Sequence, residues 1–381
     1  MPIDAKPSFK LLATAASGIE TLVKRELQDL GYNTIVDNGK VFFNGSWDDI
    51  ATTNLWLRTA DRIKIVYGEF KALTFSELFD QTYALPWDKL LPVDANFPVS
   101  GKSLKSKLFS VPDCQAIVKK AIAKKLQDVY HRHNQLPETG ALYPIEVAIR
   151  KNQVQISIDT TGSSLFKRGY RVDKGTAPLK ENMAAALILL TNWHSDKPFI
   201  DPFCGSGTIP IEAALIGQNT PPGFNRSFIS EKWLYFPTEI WDRVRATAEE
   251  KIDYDIQLNI YASDIDGHMI EIAKRNAEEA GVLHQITFKQ QAIKDFKTNL
   301  ETGTIVTNPP YGDRLNNKDD IVGIYQTMGS VFAPLTGFSK YILTSDEQFE
   351  LHFGSKATRK RKLYNGAIKV DYYQYWSKKK E

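Results

Sequence analysis

Cysteine is scarce in this chain, with Cys114 and Cys204 the only two among 381 residues. Two widely separated cysteines provide neither a disulfide framework nor the paired spacing of a zinc site, so the sequence predicts no metal centre. Long apolar stretches are missing too, because no uninterrupted run approaches the roughly 20 residues that a membrane-spanning helix needs. The first residues also lack the charged and then apolar pattern of a secretion signal. These absences predict a cytoplasmic protein with no membrane segment.

A strong net charge is also absent. The formal charge is only +3, so any nucleic-acid surface must come from local basic clusters rather than from a polycationic domain. Four such clusters occur: Lys102/Lys105/Lys107, Lys119/Lys120/Lys124/Lys125, Lys167/Arg168/Arg171 and Arg359–Lys362. A basic cluster is often no more than a solvated face, and spacing alone leaves both interpretations open.

The pattern of apolar residues changes near residue 160. Residues 1–60 predict a small α+β, ferredoxin-like unit, and residues 61–162 predict a second α+β segment. From residue 163 to 381, short strands alternate with helices, which predicts a doubly wound, mostly parallel sheet. Asn365-Gly366 lies between two strand-like segments, so we expect an antiparallel hairpin at the edge of that sheet. The strands of the parallel sheet are placed at Pro198–Asp201, Asn259–Asp264, Ile286–Gln290, Thr304–Thr307 and Tyr341–Thr344.

A glycine-containing loop is the strongest functional feature. The string Asp201-Pro-Phe-Cys-Gly-Ser-Gly-Thr208 follows a predicted strand and precedes a predicted helix. Gly205 and Gly207 would let the backbone approach a ligand closely, and the helix N-terminus favours an anionic group. The third glycine of the dinucleotide-binding pattern is missing. The loop therefore predicts a cofactor site of another kind.

Acidic residues end the next predicted strand, in Ala262-Ser-Asp-Ile-Asp266. A carboxylate at this place can accept hydrogen bonds from both hydroxyls of a ribose. We assign Asp264 to that role and expect Asp266 to cap the following helix.

A proline-rich string, Thr307-Asn-Pro-Pro-Tyr311, ends a further predicted strand. Two prolines exclude helix and leave stiff carbonyl groups. The Asn308 side-chain oxygen and the Pro309 carbonyl could accept both hydrogens of an amino group, which would aim the nitrogen lone pair at an electrophile. Tyr311 would offer a face on which a flipped base could stack. A rigid loop with an exposed tyrosine is the structural alternative.

These three strings, in this order, resemble the motifs of class I methyltransferases that act on amino groups. Over its whole length the chain resembles bacterial proteins in which a ferredoxin-like and THUMP RNA-binding region precedes such a domain. This family is related to the N-terminal half of the 23S rRNA guanine-N2 methyltransferases and is often labelled N6-adenine-specific DNA methylase. The strings that resemble THUMP or the segment leading into the catalytic domain are Phe97–Ser100, Lys105–Leu108, Gln115–Lys119, Lys167–Arg171 and Ala177–Asn182.

The resemblance implies a fold, a reaction and a set of site residues. The fold would be Rossmann-like α/β, with a seven-stranded, mostly parallel sheet and a C-terminal hairpin, and the reaction would methylate an exocyclic base amine in RNA, first of all guanine N2 in 23S rRNA. Asn308, Pro309, Pro310 and Tyr311 would be catalytic. The cofactor S-adenosylmethionine would be held by Leu179, Asp201, Cys204, Gly205, Gly207, Thr208, Asp264, Ile265, Gln291, Ala292 and Asn308. RNA would contact Lys102, Lys105, Lys119, Lys120, Arg168, Arg171, Arg226 and Arg314.

The chain departs from the family at Gln291-Ala292, where an acidic residue often lies near the adenine amine. Gln291 could accept the same hydrogen bond through its amide oxygen. The implied partner is 23S rRNA or a large-subunit assembly intermediate, without an obligate protein partner.

Three other functions stay open on the residues alone. An N6-adenine methyltransferase of DNA or RNA would share the Asn-Pro-Pro-Tyr chemistry, although only 70 residues follow Tyr311 and we expect no DNA-recognition domain there. A protein glutamine methyltransferase and a non-catalytic RNA-binding or ribosome assembly factor are the others. The long insert between Gly217 and Tyr261 mixes aromatic and basic residues, which suits either base stacking or an apolar pad over a sheet.

Overall fold

The computed structural model describes residues 8–171, 179–311, 318–366 and 368–377. Within these ranges the chain forms two seven-stranded sheets, one from each half, and helices pack on both. None of the described helices is long and apolar enough to cross a membrane.

The first sheet has the strand order β2-β3-β1-β4-β7-β6-β5. All neighbours are antiparallel except β5 and β6. Its elements are β1 (Phe9–Thr14), α1 (Glu20–Asp29), β2 (Ile35–Asp37), β3 (Lys40–Gly45), α2 (Trp47–Trp56), β4 (Arg62–Lys71), α3 (Phe75–Ala84), β5 (Val99–Leu104), α4 (Val111–Val129), β6 (Ile145–Arg150) and β7 (Gln153–Asp159). Because β4 pairs with both β1 and β7, the sheet is continuous across the expected boundary at residue 60. The division into residues 1–60 and 61–162 remains a prediction.

Alternating residues give this sheet two different faces. Leu11 and Phe43 point into a core shared with the helices, whereas the neighbouring Lys10 and Phe42 point to the opposite face, as the two-residue period of a strand requires. We call that opposite side the open face. It carries a groove lined by strand residues and by Asn38 of the β2–β3 turn.

The second sheet has the strand order β10-β9-β8-β11-β12-β14-β13. The first five of these strands are parallel, and the hairpin of β13 and β14 joins antiparallel to β12. The elements are α5 (Glu181–Leu189), β8 (Phe199–Asp201), α6 (Thr208–Gly217), α7 (Thr238–Glu249), β9 (Ile260–Asp264), α8 (Gly267–Glu279), β10 (Ile286–Gln290), β11 (Gly303–Thr307), α9 (Lys318–Phe332), β12 (Phe338–Thr344), α10 (Phe349–Phe353), β13 (Arg359–Asn365) and β14 (Ile368–Tyr375). The predicted fold class and edge hairpin are confirmed. The hairpin turn falls later than expected, since Asn365 pairs with Ile368 and belongs to the strand.

The insert between α6 and β9 packs against the N-terminal half. Trp233 stacks on Tyr143, with ring centroids 4.7 Å apart, and its indole nitrogen donates to the Leu142 carbonyl at 2.9 Å. Phe228 and Phe236 are buried in the same N-terminal core. Of the two alternatives left open by the sequence, the structure therefore shows the apolar pad, which covers the first sheet.

A buried arginine, Arg168, links the second half to the first. The Arg168 guanidinium lies 3.3 Å from Glu212 on α6, and both side chains are almost fully buried. Arg168 also donates to the carbonyls of Leu165 and Arg58, each at 2.6 Å. A side chain with these internal partners is not available to a phosphate. The prediction that Arg168 contacts RNA is wrong.

Candidate active site

The three sequence motifs meet at one edge of the second sheet. The strands β8, β9, β10 and β11 are parallel, so their carboxyl ends lie along the same edge. The chain passes from β8 to β9 and β10 on one side of β8, and then to β11 on the other side of β8. This reversal is the topological switch point at which open α/β sheets bind ligands. The strand ends place Asp201, Asp264, Gln291 and Asn308 around it.

The glycine loop requires left-handed backbone at both glycines, with φ of +49° at Gly205 and +85° at Gly207. A Cβ at Gly207 would lie 3.0 Å from the Ala273 Cβ, so this glycine permits close packing of the loop on α8. A Cβ at Gly205 would meet only the Met269 Cε, at 3.9 Å. Gly205 therefore leaves room for a ligand above the loop.

Hydrogen bonds fix this loop to β9 and α8. The Cys204 N–H donates to the Ser263 carbonyl, and the Gly205 N–H donates to Asp264 Oδ2, both at 2.9 Å. The Asn276 amide donates to the Ser206 carbonyl at 2.9 Å. Burial raises the pKa of the Cys204 thiol well above its ordinary value, and the nearby Asp201 and Asp264 charges raise it further. Cys204 therefore stays a neutral thiol in the wall of the site.

Asp264 is shaped to accept hydrogen bonds. Besides Gly205, its carboxylate accepts the Asp266 N–H at 3.0 Å, while burial raises its pKa. Asp266 in turn accepts the His268 N–H at 2.8 Å and caps α8, as predicted from the sequence. Each Asp264 oxygen has a further lone pair for a ribose hydroxyl.

Asp201 lies deeper and is 1% exposed. Its Oδ1 accepts the Thr307 hydroxyl at 2.7 Å and the Phe203 N–H at 3.1 Å, which ties the end of β8 to the end of β11. Its Oδ2 is buried and has no hydrogen-bond partner. Burial raises the pKa of Asp201 to about 7, against the smaller opposing effect of the Thr307 hydroxyl. A buried acceptor without a donor is costly, so a ligand donor or cation would relieve it.

The Asn308–Tyr311 loop is held by two other elements. Asn308 Oδ1 is buried without a partner. The Tyr325 hydroxyl on α9 donates to the Pro310 carbonyl at 3.0 Å, and the Asn365 amide on β13 donates to the Tyr311 hydroxyl at 3.2 Å. Tyr311 is only 4% exposed and packs in the apolar core of this domain. The expected exposed stacking face is therefore not present in this structure.

Two of the residues predicted to contact the adenine follow the ends of β9 and β10. The Ile265 side chain is 70% exposed beside the loop, an apolar surface on which a flat ring could pack. The Gln291 amide nitrogen donates to the Asp295 carbonyl at 2.7 Å, which leaves its amide oxygen as the acceptor. Ala292 follows it at the start of a short helical turn.

Arg171 belongs to this site rather than to an RNA surface. Its guanidinium donates to Glu181 Oε1 at 3.0 Å and to the Ser206 and Thr208 hydroxyls at 3.1 Å each. It also reaches the carbonyl of the buried Leu179 at 3.3 Å. Arg171 therefore links the entry to α5 with the glycine loop, and its assignment to RNA is corrected.

The remaining basic candidates differ in their surroundings. Lys102, Lys105 and Lys120 are exposed and stay candidates for RNA contact. Lys119 forms an ion pair with Glu138 and also donates to the Phe97 carbonyl at 3.1 Å. Arg226 donates to the carbonyls of Ser163, Ser164 and Lys167, so it fastens the insert and is corrected as an RNA contact. Arg314 lies outside the described residues.

Sequence reasoning missed four supporting residues: Thr307, Tyr325, Asn276 and Asn365. Thr307 begins the Thr307–Tyr311 string, but nothing in that string predicts that its hydroxyl donates to Asp201. The others act from distant elements, and no local pattern marks them.

The site fits S-adenosylmethionine in its chemistry. The unpartnered Asp201 oxygen lies beside the glycine loop, where it suits a cationic amino-acid moiety, and Asp264 offers acceptors to ribose hydroxyls. Ile265 and Gln291 offer an apolar face and an acceptor to adenine. No group of three His, Cys, Asp or Glu side chains among the described residues is placed to hold a metal ion.

Comparison with known families matches three successive regions of the chain. Residues 10–64 match the RlmL ferredoxin-like domain, residues 72–159 match the THUMP domain, and residues 168–374 match the RMKL-like methyltransferase domain. The third match alone covers more than half of the chain.

Two curated relatives align over almost the whole chain. "Putative RNA methyltransferase YpsC" of Bacillus subtilis (strain 168) is 57% identical over 371 residues, which are 97% of this chain and 96% of that protein. Ribosomal RNA large subunit methyltransferase K/L of Shewanella baltica (strain OS195) is 30% identical over 374 residues, which cover 96% of this chain but 53% of the relative. The chain thus spans about half the length of the K/L relatives.

Solved structures agree along the full length. A predicted N6-adenine-specific DNA methylase from Listeria monocytogenes str. 4b F2365 is 56% identical with a TM-score of 0.94, covering 98% of this chain and 97% of that one. SMU.472 complexed with SAH is 53% identical with a TM-score of 0.95, covering 99% and 100%. With its class I, S-adenosylmethionine-dependent fold and the matched region 168–374, the chain belongs to the RMKL-like methyltransferase family.

Proposed function

We propose that this protein methylates an exocyclic base amine in RNA, and that its substrate is guanine N2 in the large-subunit rRNA. The observation that carries the chemistry is the buried, unpartnered Asn308 Oδ1 at the end of β11. A buried acceptor at the switch point needs a donor from a ligand, and a base amine supplies one.

The choice of RNA is supported by the N-terminal half. Residues 72–159 match the THUMP domain, and the relatives that align over nearly all of this chain are named RNA or ribosomal RNA methyltransferases. The choice of guanine N2 is supported by the resemblance to the 23S rRNA guanine-N2 methyltransferases.

Residues of this chain would position both reactants. When bound, S-adenosylmethionine supplies an electrophilic methyl group on its sulfonium. Asn308 Oδ1 and the Pro309 carbonyl would each accept one hydrogen of the amine and turn the nitrogen lone pair toward that methyl group. Tyr325 and Asn365 would hold the loop still while they do so. The proton would leave the nitrogen after transfer, so no general base is needed at this site.

The test is methyl transfer from labelled S-adenosylmethionine to unmodified large-subunit rRNA, small-subunit rRNA, tRNA and duplex DNA, with the product nucleoside identified by mass spectrometry. We expect N2-methylguanosine in large-subunit rRNA. Asn308→Ala should lower the rate by on the order of 10²-fold or more, because the acceptor that orients the amine is lost. Asn308→Asp keeps an acceptor oxygen in the same shape and should retain more activity than Asn308→Ala.

Other products would identify other functions. Methyladenine in DNA would contradict the RNA assignment and support the name carried by the Listeria protein. N6-methyladenosine in RNA would correct the base alone. Tight SAH binding with no transfer to rRNA or to ribosomal assembly particles would favour a non-catalytic assembly factor.

A further inference from the structure

The open face of the N-terminal sheet forms a groove of about 810 Å³. Lys40 on β3 donates to Gln155 on β7 at 2.6 Å. Three strand spacings separate these strands, and the register places Lys40 level with Arg62 and Gln155 level with Glu69 on β4. On a flat sheet the two Cα atoms would be roughly 14 Å apart across the strands and roughly 23 Å apart along them, beyond the reach of the two side chains. The sheet therefore curls, and its open face is concave.

Two lysines converge on one carboxylate beside this groove. Lys64 and Lys102 approach the two oxygens of Glu146 at 3.1 Å and 3.0 Å. Lys40 donates to the neutral Gln155 instead. Burial lowers the pKa of Lys40, and the positive charges of Lys102 and Lys64 lower it further. Positive charge is therefore in excess at this end of the groove.

The excess of positive charge extends along the groove. Four basic side chains, Lys10, Lys40, Lys102 and Arg150, line it against two acidic ones, Asp37 and Glu69, and Lys10 is paired with Glu69. The whole chain carries a net charge of only +3. The groove is therefore more basic than the surface of the protein as a whole.

Apolar side chains interleave with these charges. Phe42 is partly exposed between two lysines, with Lys10 Nζ 5.1 Å and Lys40 Nζ 5.9 Å from its ring centroid. Ile35 and Leu104, on the two edge strands, are 73% and 57% exposed. A concave basic groove with an aromatic platform is the kind of surface that binds single-stranded nucleic acid.

We propose that this groove binds a single-stranded segment of the RNA substrate, with phosphates on Lys40 and Lys102 and a base against Phe42. The inference rests on the proposed function and assigns its substrate a second contact surface, away from the strand ends that carry Asn308. Unpaired bases can stack on a side chain, whereas the bases of a duplex are already stacked on each other.

The experiment measures binding of a fluorescein-labelled single-stranded RNA of about 12 nucleotides, within the usual site size, by fluorescence anisotropy. The variant is Lys40→Gln with Lys102→Gln. We expect roughly 10-fold weaker binding, and a slope of log affinity against log salt that is shallower by about 1.4, or about 0.7 for each lost phosphate contact. Phe42→Leu should weaken binding without changing that slope.

The matched control is Lys89→Gln with Lys356→Gln, two exposed lysines that neither line the groove nor belong to the predicted RNA contacts. It should bind within about twofold of the wild type. If this control loses as much affinity as the groove variant, the loss reflects overall charge and the proposal is wrong. Equal affinity and equal salt slope in all three proteins would also overturn it.

Two further measurements distinguish failure of this proposal from failure of the proposed function. The groove variant should match the wild type in SAH affinity and in thermal midpoint, since its side chains lie outside the cofactor site. If its midpoint falls, the single substitution Arg150→Gln at an exposed position is used instead. The slope of log affinity against log salt should then become shallower by about 0.7. If the wild type methylates rRNA and the groove variant has an unchanged KM, only the groove assignment fails. If the wild type methylates DNA instead, the proposed function fails.

Discussion

At the scale of single residues, the site is defined by acceptors that the protein itself leaves unsatisfied. Asp201 Oδ2 and Asn308 Oδ1 are both buried without a partner, at the ends of the neighbouring strands β8 and β11. Folded proteins rarely leave such atoms without a donor. In the proposed function, the cofactor would supply the missing donor at Asp201 and the base amine would supply it at Asn308.

Asp201 makes stability depend on pH. Burial raises its pKa to about 7 in the folded protein, from an ordinary value of 3.8. Between about pH 4 and pH 7 the unfolded chain loses this proton while the folded chain keeps it, so the free energy of unfolding should fall by up to about 1.4 kcal/mol per pH unit. Asp201→Asn keeps the Oδ1 acceptor and removes the titration. In urea unfolding, the variant should gain stability relative to the wild type from pH 4 to pH 7 and no further above it.

The same variant tests the role of Asp201 toward the cofactor. A cationic amino group would favour the ionised carboxylate, so SAH affinity of the wild type should rise with pH up to about 7 and then level off. Calorimetric titration of Asp201→Asn should give weaker binding with no such rise. Parallel pH profiles for both proteins, in unfolding and in binding, would show that Asp201 does not titrate in this range.

At the scale of elements, the loops that carry the chemistry are positioned by distant segments. The Asn308–Tyr311 loop hangs from the end of β11, and α9 and β13 hold it through Tyr325 and Asn365. The sequence predicts the loop, because adjacent prolines after a strand are a local pattern. It cannot predict Tyr325, because a tyrosine on an amphipathic helix looks the same whether its hydroxyl supports a loop or faces water.

The same limit explains the corrected basic residues. The sequence predicts RNA contacts at Arg168, Arg171 and Arg226. In the structure each of them donates to carboxylates, hydroxyls or carbonyls of the protein itself. The charge of a side chain can be read from the sequence, but the group with which it pairs cannot, because that group is often distant in the chain. Glu212, for example, lies 44 residues from Arg168. Strand positions were predictable for the opposite reason. Periodicity and turn residues are local, and the predicted strand Ile286–Gln290 matches the structure residue for residue.

Tyr325→Phe tests whether α9 positions the catalytic loop. The substitution keeps the buried ring and removes the hydroxyl that donates to the Pro310 carbonyl and lies 2.8 Å from the Thr344 hydroxyl. We expect kcat to fall about 10-fold because Asn308 is oriented less well, while SAH affinity stays unchanged. Steady-state kinetics on rRNA measures both effects.

Tyr373→Phe is the matched control for that variant. Its hydroxyl donates to the Asp346 carbonyl at 3.0 Å, and its ring lies in the same apolar cluster as Tyr325. This variant should keep kcat within about twofold. An equal loss in both variants would indicate general destabilisation and would contradict a positioning role for Tyr325.

At the scale of the whole molecule, the catalytic region is not self-contained. Phe228, Trp233 and Phe236 of the insert pack in the core of the N-terminal half. Arg168, which pairs with Glu212, donates across the same boundary to the Arg58 carbonyl. Glu212 lies on α6, the helix that begins at the glycine loop. The two halves are therefore packed together, and an RNA bound to the first sheet as proposed would be held at a fixed place relative to the methyl donor.

A fragment of residues 163–381 should consequently fail to fold as a stable monomer. Removing the N-terminal half uncovers Trp233, which stacks on Tyr143, and Phe236, which packs 4.7 Å from Trp47. An aromatic ring of this kind buries roughly 150–250 Å², worth roughly 4–6 kcal/mol at about 25 cal/mol/Å². We expect an aggregating or dye-binding fragment, whereas the full chain unfolds in one transition. Replacing Trp233 and Phe236 by serine should improve the fragment's solubility, because the two rings are exposed there. The same replacement should destabilise the full chain, because there the rings are buried in the core. A monomeric fragment that unfolds cooperatively and binds SAH as tightly as the full chain would show that the insert belongs to the catalytic domain and that the two halves are independent.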